Sequence, residues 1–589
     1  MSLPPCSHHT PSLARWSDLP DDLLHRIFTI VCSRDGNTTP QPSIPLTCQR
    51  WREAYIKCPQ LWRNLSLDWA PVLFSPDTPS HTPVSRYGFA GKWVEARAPL
   101  LRTLVFSNCY VLGPALDFNL LSPLCAKAKF LESIHLSGLR GSADDAIIAV
   151  CQGAMAGAGA TSTSRLRSIK ISYDQPKDGR THPLRVSVSA LKYLSLLSSS
   201  LECIDLAIDA ITPTGPPTAD LAPFWSKLRK LKTLRIHARM HSVVIDPELL
   251  LALPSLHHLD LTNVRLPQFS PAMVSTLSRL THISLHSVLA ARPRRKSGFT
   301  LWDALSGFQS LTHVRVSGVG GDAGLPASAL AIPGLRSLHI TDCVHVGTWP
   351  SKNALLCAGA SGGGGDLYPG IASLEELVVA EVGIGELPPP LLWSRLRCVT
   401  SLTWRNVHYA ASRHRYWDHR GPCALPPDAV PLMRRLNTLR FEYSGLHAEA
   451  LKQTMEGVLR HATNVRELSL EGNRFDRGKM GEGVHDMVAV QRLSLVNCGL
   501  TSVPREVYCL HALEELDLRD NPRLVDEVGV GMVAGGSGVE GRVLRVEGEG
   551  KQDAAAPKIV HRNDRHALLQ ASLPRLPSMN DPSVPMTCV

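Results

Sequence analysis

The sequence lacks any apolar run approaching the ~20 residues that a bilayer-spanning helix needs. Its first stretch, MSLPPCSHHTPSLARWSDLP, has no apolar core of the kind a secretory signal carries, so no secretory signal is expected. Cysteine is present at 15 residues, an odd count, with no CxxC pair. That argues against a disulfide framework or a zinc ribbon and suits a reducing, intracellular setting, cytoplasmic, nuclear or both. Catalytic signatures are also missing: there is no P-loop, no GxGxxG after a strand and no HExxH. The net charge of +10 is small for 589 residues. It is compatible with acidic partners and does not call for nucleic acid. What remains is a chain with an ordinary apolar share of 44%, too long for one compact core.

Near the start stands WSDLPDDLLHRIFTIV, Trp16 to Val31. Ser17 or Asp18 can cap a helix here, Pro20 suits its first turn, and Asp21 and Asp22 favour its positive end. Leu23, Ile27 and Val31 form one apolar stripe and Leu24 and Phe28 the next, so the helix is expected to meet two neighbours. A polar, Pro-containing insert, Ser33–Pro45, precedes LTCQRWREAYIKCPQLWRNLSLDW. The ordered set LP–x2–LL–x2–IF, C–x–RW and P–x–LW resembles the F-box, over residues 16–67. The insert stands where that family has a leucine-rich helical stretch. The resemblance implies a small helical module that docks on a Skp-type adaptor and, through it, a cullin. Leu19, Pro20, Leu23, Leu24, Ile27 and Phe28 would supply adaptor-facing or core contacts. Trp51, Leu61 and Trp62 would complete the adaptor-binding set.

Beyond Leu100 the pattern L-x-x-L-x-L recurs, with Ile, Val, Phe or Trp substituting. Fifteen copies run from LRTLVF at Leu101 to LEELDL at Leu513, spaced 23 to 39 residues apart. This self-similarity resembles the leucine-rich repeat. The expected fold is α/β: a helical module followed by a leucine-rich-repeat solenoid, a horseshoe with parallel strands on its concave face. The expected boundaries are a disordered stretch over 1–15, the F-box-like module over 16–67, and a linker or N-terminal cap over 68–99. The array takes 100–550, interrupted by a flexible Gly-rich loop near 357–366, and a disordered tail takes 551–589. GRVLRV, Gly541–Val546, is expected to close the array. The best copies carry Cys109, Cys343, Asn473, Cys498 and Asn521 at the motif's Asn/Cys position, as buried structural residues.

In such a strand, the residues flanking the last two apolar positions face the concave side. They form three columns. The first runs Thr233, His258, His282, His313, Ser337; the second Arg235, Asp260, Ser284, Arg315, His339; the third His237, Thr262, His286, Ser317, Thr341. Arg235, His237, His258, His282, His286, His313, Arg315 and His339 are therefore the candidate substrate-binding residues. Three readings of this face stay open: a solvated polar surface, a recognition surface for an acidic or phosphorylated protein segment, or a metal site. No cysteine or supporting carboxylate is arranged for the last, so no metal and no cofactor are expected. The segment Trp404–Arg420 mixes arginines with aromatics, a pattern that can hold nucleic acid but equally anchors a loop, and the loop is favoured. PRRKS, Pro293–Ser297, is a weak nuclear-import pattern or an exposed turn.

By these resemblances the protein is expected to be a non-catalytic substrate receptor of an SCF-type ubiquitin ligase. Its array would hold a protein substrate while its first module ties that substrate to the ligase. The alternative is a leucine-rich-repeat binding scaffold whose helical N-terminus is only a cap. A metal- or nucleic-acid-dependent activity at the histidine face or at Trp404–Arg420 is the further alternative.

Overall fold

The computed structural model describes residues 20–34, 37–38, 49–58, 62–68, 91–109, 120–139, 141–159, 164–173, 184–212, 225–239, 243–245, 247–266, 271–290, 305–318, 325–343, 349, 355, 368–384, 389–409, 429–443, 459–473, 475, 480, 482–500, 501–524 and 545–547. The segments 1–15, 357–366 and 551–589, expected to be disordered or flexible, lie outside these residues.

The chain folds as a leucine-rich-repeat solenoid behind two helices, α1 (Asp21–Cys32) and α2 (Gln49–Lys57). Its spine is one parallel sheet of seventeen strands. They begin with β1 (Asn64–Asp68), β2 (Thr103–Ser107), β3 (Ser133–Ser137), β4 (Ser168–Ser172), β5 (Cys203–Ile208) and β6 (Thr233–Ala238). They continue with β7 (His258–Thr262), β8 (His282–His286), β9 (His313–Ser317), β10 (Ser337–Thr341), β11 (Glu376–Ala380) and β12 (Ser401–Arg405). The last are β13 (Thr438–Glu442), β14 (Glu467–Ser469), β15 (Arg492–Ser494), β16 (Glu515–Asp517) and β17 (Arg545–Glu547). Each strand pairs in parallel with the next in sequence.

The repeat motif explains the unit. In β7 the apolar residues Leu259 and Leu261 are buried, while His258, Asp260 and Thr262 face the other side of the sheet. The first leucine of the motif, Leu256, is buried where the preceding return leg arrives. The residue after the strand turns the chain into the next leg through left-handed backbone. Asparagine takes that place at Asn108, Asn263 and Asn406, with φ of 55°, 54° and 46°. Buried asparagines then join successive turns. Asn521 Nδ2 donates to Leu495 O at 2.8 Å and Leu518 O at 2.9 Å, and its Oδ1 accepts from the N–H groups of Cys498 and Leu500, both at 3.0 Å. Asn473 Nδ2 likewise donates to Phe441 O and Leu470 O. Cys109, Cys343 and Cys498 are buried, and burial pushes the Cys498 thiol up to about 12, which keeps it an inert packing group.

The helical module has its own small core of Leu24, Phe28, Ala54, Cys58 and Trp62, with Ile27, Trp51 and Trp93 partly buried against it. Phe28 meets Trp51 edge-on at 5.5 Å, and His25 Nε2 lies 3.0 Å from Ala54 O, joining α1 to α2. The module ends inside the sheet. Trp62-x-x-Leu65-x-Leu67 is itself a copy of the repeat motif, with tryptophan in the first place, and β1 is its strand. The expected boundary at Leu67 therefore falls within the first strand of the ladder. Trp93 packs on both cores, which makes it the joint between module and ladder. It sits edge-on to Trp62 at 5.3 Å, and the Arg97 guanidinium lies 4.6 Å from the Trp62 ring and 4.1 Å from the Trp93 ring. No helix among the described residues is long and apolar enough to cross a membrane.

Candidate functional site

Two surfaces carry the residues singled out by the sequence. The first is the outer edge of α1. Pro20 O accepts the first helical hydrogen bond, from Leu24 N at 3.0 Å, and Asp21 and Asp22 occupy the first turn. The stripe of Leu24 and Phe28 is fully buried, and Trp62 is 1% exposed. These three have no surface to give a partner; they hold the module from beneath. Leu23, on the neighbouring stripe, is 41% exposed, Pro20 beside it is exposed, and Ile27 is half-buried. Trp51 is half-buried over Phe28. Leu19 and Leu61 lie outside the described residues. The module thus turns one stripe inward and leaves Pro20 and Leu23 as an apolar edge in water.

The second surface is the polar side of the sheet. The pairing register sets Thr233, His258, His282, His313 and Ser337 opposite one another on β6 to β10. It does the same for Arg235, Asp260, Ser284, Arg315 and His339, and for His237, Thr262, His286, Ser317 and Thr341. The first column forms an imidazole stack. His258 and His282 have ring centroids 4.3 Å apart, and His282 and His313 lie 4.1 Å apart with planes only 9° from parallel. Threonine hydroxyls fix two of the rings. Thr281 Oγ1 lies 2.8 Å from His282 Nδ1 and 3.0 Å from His257 O, and Thr312 Oγ1 lies 2.8 Å from His313 Nδ1 and 3.0 Å from Thr281 O. With Nδ1 engaged, Nε2 is the remaining polar atom of each ring.

The stack resists protonation. Burial is the first cause for all three rings and lowers each below the ordinary imidazole value; neighbouring histidines add to it at His258 and His282, the Glu376 carboxylate opposes it at His313, and His282, in the middle, falls to about 4. Neutral rings with free Nε2 atoms are hydrogen-bond acceptors. The near-parallel rings of His282 and His313 aim their lone pairs side by side, not at one point, and among the described residues no three metal-ligating side chains converge.

Most charged groups on this side are already paired. Asp205 on β5, only 6% exposed, has Lys170 Nζ at 3.5 Å, Arg235 Nη1 at 3.9 Å and His237 Nε2 at 4.0 Å. His237 also lies 3.9 Å from Asp260. His339 Nε2 lies 2.9 Å from Glu376 Oε2, off the direction of a straight hydrogen bond, and Ser337 Oγ donates to the same carboxylate at 2.8 Å. Burial raises the Glu376 carboxyl, but His339 and Ser337 outweigh it and hold it below the usual range. Arg235, His286 and Arg315 are the exposed members of the set, and the side chains of His286 and Arg315 have no ion pair or hydrogen bond among the described residues. Asp205 was missed by reading the columns only from Thr233 onward; the same motif one repeat earlier, LECIDL at Leu201, places it.

The basic and aromatic segment starts in the core. Trp404 is 2% exposed and packs on Trp393 at 5.7 Å, so its ring is not available to stack on a base. Arg405 lies 3.4 Å from Glu381 and 4.0 Å from the buried Glu442. Residues 410–428, which hold the segment's Arg413, Arg415, Tyr416, Trp417 and Arg420, lie outside the described residues, as do Pro293–Ser297.

No family model matches the sequence. No curated protein matches it either. Among solved structures it is similar to a leucine-rich-repeat protein of Leptospira interrogans, at 15% identity and a TM-score of 0.44, covering 80% of this chain and 94% of that one. It is also similar to the leucine-rich-repeat ectodomain of an Arabidopsis thaliana membrane receptor kinase, at 15% identity and a TM-score of 0.40, covering 72% of this chain and 45% of that one. An internalin of Listeria monocytogenes matches at 12% identity and a TM-score of 0.38, covering 69% of this chain and 92% of that one.

Proposed function

We propose that the protein is a non-catalytic substrate receptor of an SCF-type ubiquitin ligase. Its N-terminal module docks on a Skp-type adaptor, and through it a cullin, and the repeat array holds a protein substrate near the ubiquitin-conjugating enzyme. The observation that carries this reading is the division of labour on α1. Leu24 and Phe28 are wholly buried in a two-helix core, while Pro20 and the 41% exposed Leu23 stand outward on the same helix, within the F-box-like motif. The ordered F-box-like motifs supply the partner, and the array supplies a long polar face suited to a protein segment. The mechanism is proximity: holding the substrate beside the conjugating enzyme raises the effective concentration of its lysines.

The structure selects the test variant. Leu24→Asp would bury a charge and unfold the module; Leu23→Asp changes an exposed side chain. Titration of purified Skp-type adaptor into the full chain is expected to show binding for wild type and a loss of about tenfold or more for Leu23→Asp, both folded by circular dichroism. Absence of binding by folded wild type would leave the protein as a binding scaffold with a helical cap.

A further inference from the structure

Among the described residues, one arginine on the polar side of the sheet has no ion-pair partner. Lys170, Arg235 and His237 surround Asp205; Arg405 stands between Glu381 and Glu442; Arg440 and Arg492 both reach Glu467, and Arg519 is held by Asp517. Arg315 alone among these face arginines has no carboxylate within ion-pair distance. It occupies the middle column of β9, with Ser284 and His339 opposite it on the neighbouring strands. In its own column the nearest acid is Asp260 on β7, two strands away and 3.9 Å from His237; Glu376 on β11, in the column of His313, is engaged by His339 and Ser337. Around Arg315 stand His313, two residues earlier on its own strand, and His282 and His286 on β8.

We propose that Arg315, walled by His282, His286 and His313, is the docking point for one carboxylate side chain of an unmodified, extended protein segment. The proposal rests on the array being the substrate-holding surface, and not on adaptor docking. Three physical points select this occupant. A guanidinium offers a planar fork that matches a carboxylate, and this one is exposed and unpaired. The site has a single fixed cation, which balances one negative charge; a phosphate ester near neutral pH brings nearly two. The imidazoles of His282 and His313, in the column beside Arg315, have Nδ1 held by Thr281 and Thr312, which leaves Nε2 as the remaining polar atom of each ring. Those atoms accept main-chain N–H groups of a bound segment, and they repel the surplus negative charge of a phosphate.

The test uses the intact protein and a displayed library of random, unmodified peptides. Selected peptides are expected to share an Asp or Glu at one position. Replacing that residue with its amide, or using Arg315→Gln, should each weaken binding by about tenfold, and the two changes together should weaken it no further. His286→Ala should weaken it less. Peptides that bind without a shared acid, or equally well to Arg315→Gln, would overturn the carboxylate assignment while leaving the array a peptide-binding surface. So would a peptide that binds more tightly when phosphoserine replaces its acid. A library that yields no binder would overturn both the assignment and the reading of the array as a substrate surface.

Discussion

The helical module and the strand ladder stabilise themselves in opposite ways. The module has a core of five buried residues, Leu24, Phe28, Ala54, Cys58 and Trp62. The ladder has one continuous core running from Leu65 to Leu518, in which each repeat is covered by the next. A core as small as the module's must lean on a neighbour, and it does so through Trp93 and Arg97. The two regions also present opposite surfaces: a short apolar edge at Pro20 and Leu23, and a long polar face of stacked rings and ion pairs. An apolar edge suits a constant partner held by burial; a polar face suits recognition of particular side chains.

The contrast can be broken most severely at the joint. Trp62→Ala should cost ~3–5 kcal/mol, because it empties the largest side chain from the smallest core. Hydrogen exchange should show protection lost over α1 and α2 while the strands from β3 onward keep theirs. Within the ladder, Asn521→Ala should cost ~1–3 kcal/mol in denaturant unfolding, since the N–H groups of Cys498 and Leu500 and the carbonyls of Leu495 and Leu518 lose a buried partner.

A smaller effect comes from pH. The fold holds His282 down to about 4, so the folded chain refuses a proton that the unfolded chain accepts below about 6.5. The stability His282 confers is complete above that value and is lost as pH falls toward 4. His282→Gln should therefore show a shallower fall in melting temperature over this window than wild type, with the two curves parallel above pH ~7. The smallest effect on stability belongs to Leu23→Asp, within ~0.5 kcal/mol, because the side chain is exposed. That variant separates binding from folding.

Periodicity made the ladder legible. Each of the fifteen motif copies from Leu101 to Leu513 holds a strand beginning two residues after its first apolar position, and the last strand, Arg545–Glu547, overlaps the expected closing segment. These are local consequences of an alternating pattern, so they survive without knowledge of neighbours. The first strand was hidden because its motif opens on Trp62, which also belongs to the helical module. The columns of the polar face followed from alternation as well. Their electrostatics did not, because pairing depends on rotamers and on residues a repeat away in sequence. Arg235 and Arg315 occupy equivalent positions, yet Arg235 has Asp205 on the preceding strand and Arg315 has Ser284. The inward turn of Leu24 and Phe28, as against the outward turn of Leu23, likewise needed the position of α2.

Hydrogen exchange of the full chain with and without a Skp-type adaptor tests the central claim most directly. The account predicts adaptor-dependent protection confined to residues 20–28 and their neighbours on α2, with β6 to β10 unchanged and free for substrate. Binding that protects the polar side of β6 to β10 instead, or no protection anywhere in a folded chain, would contradict it.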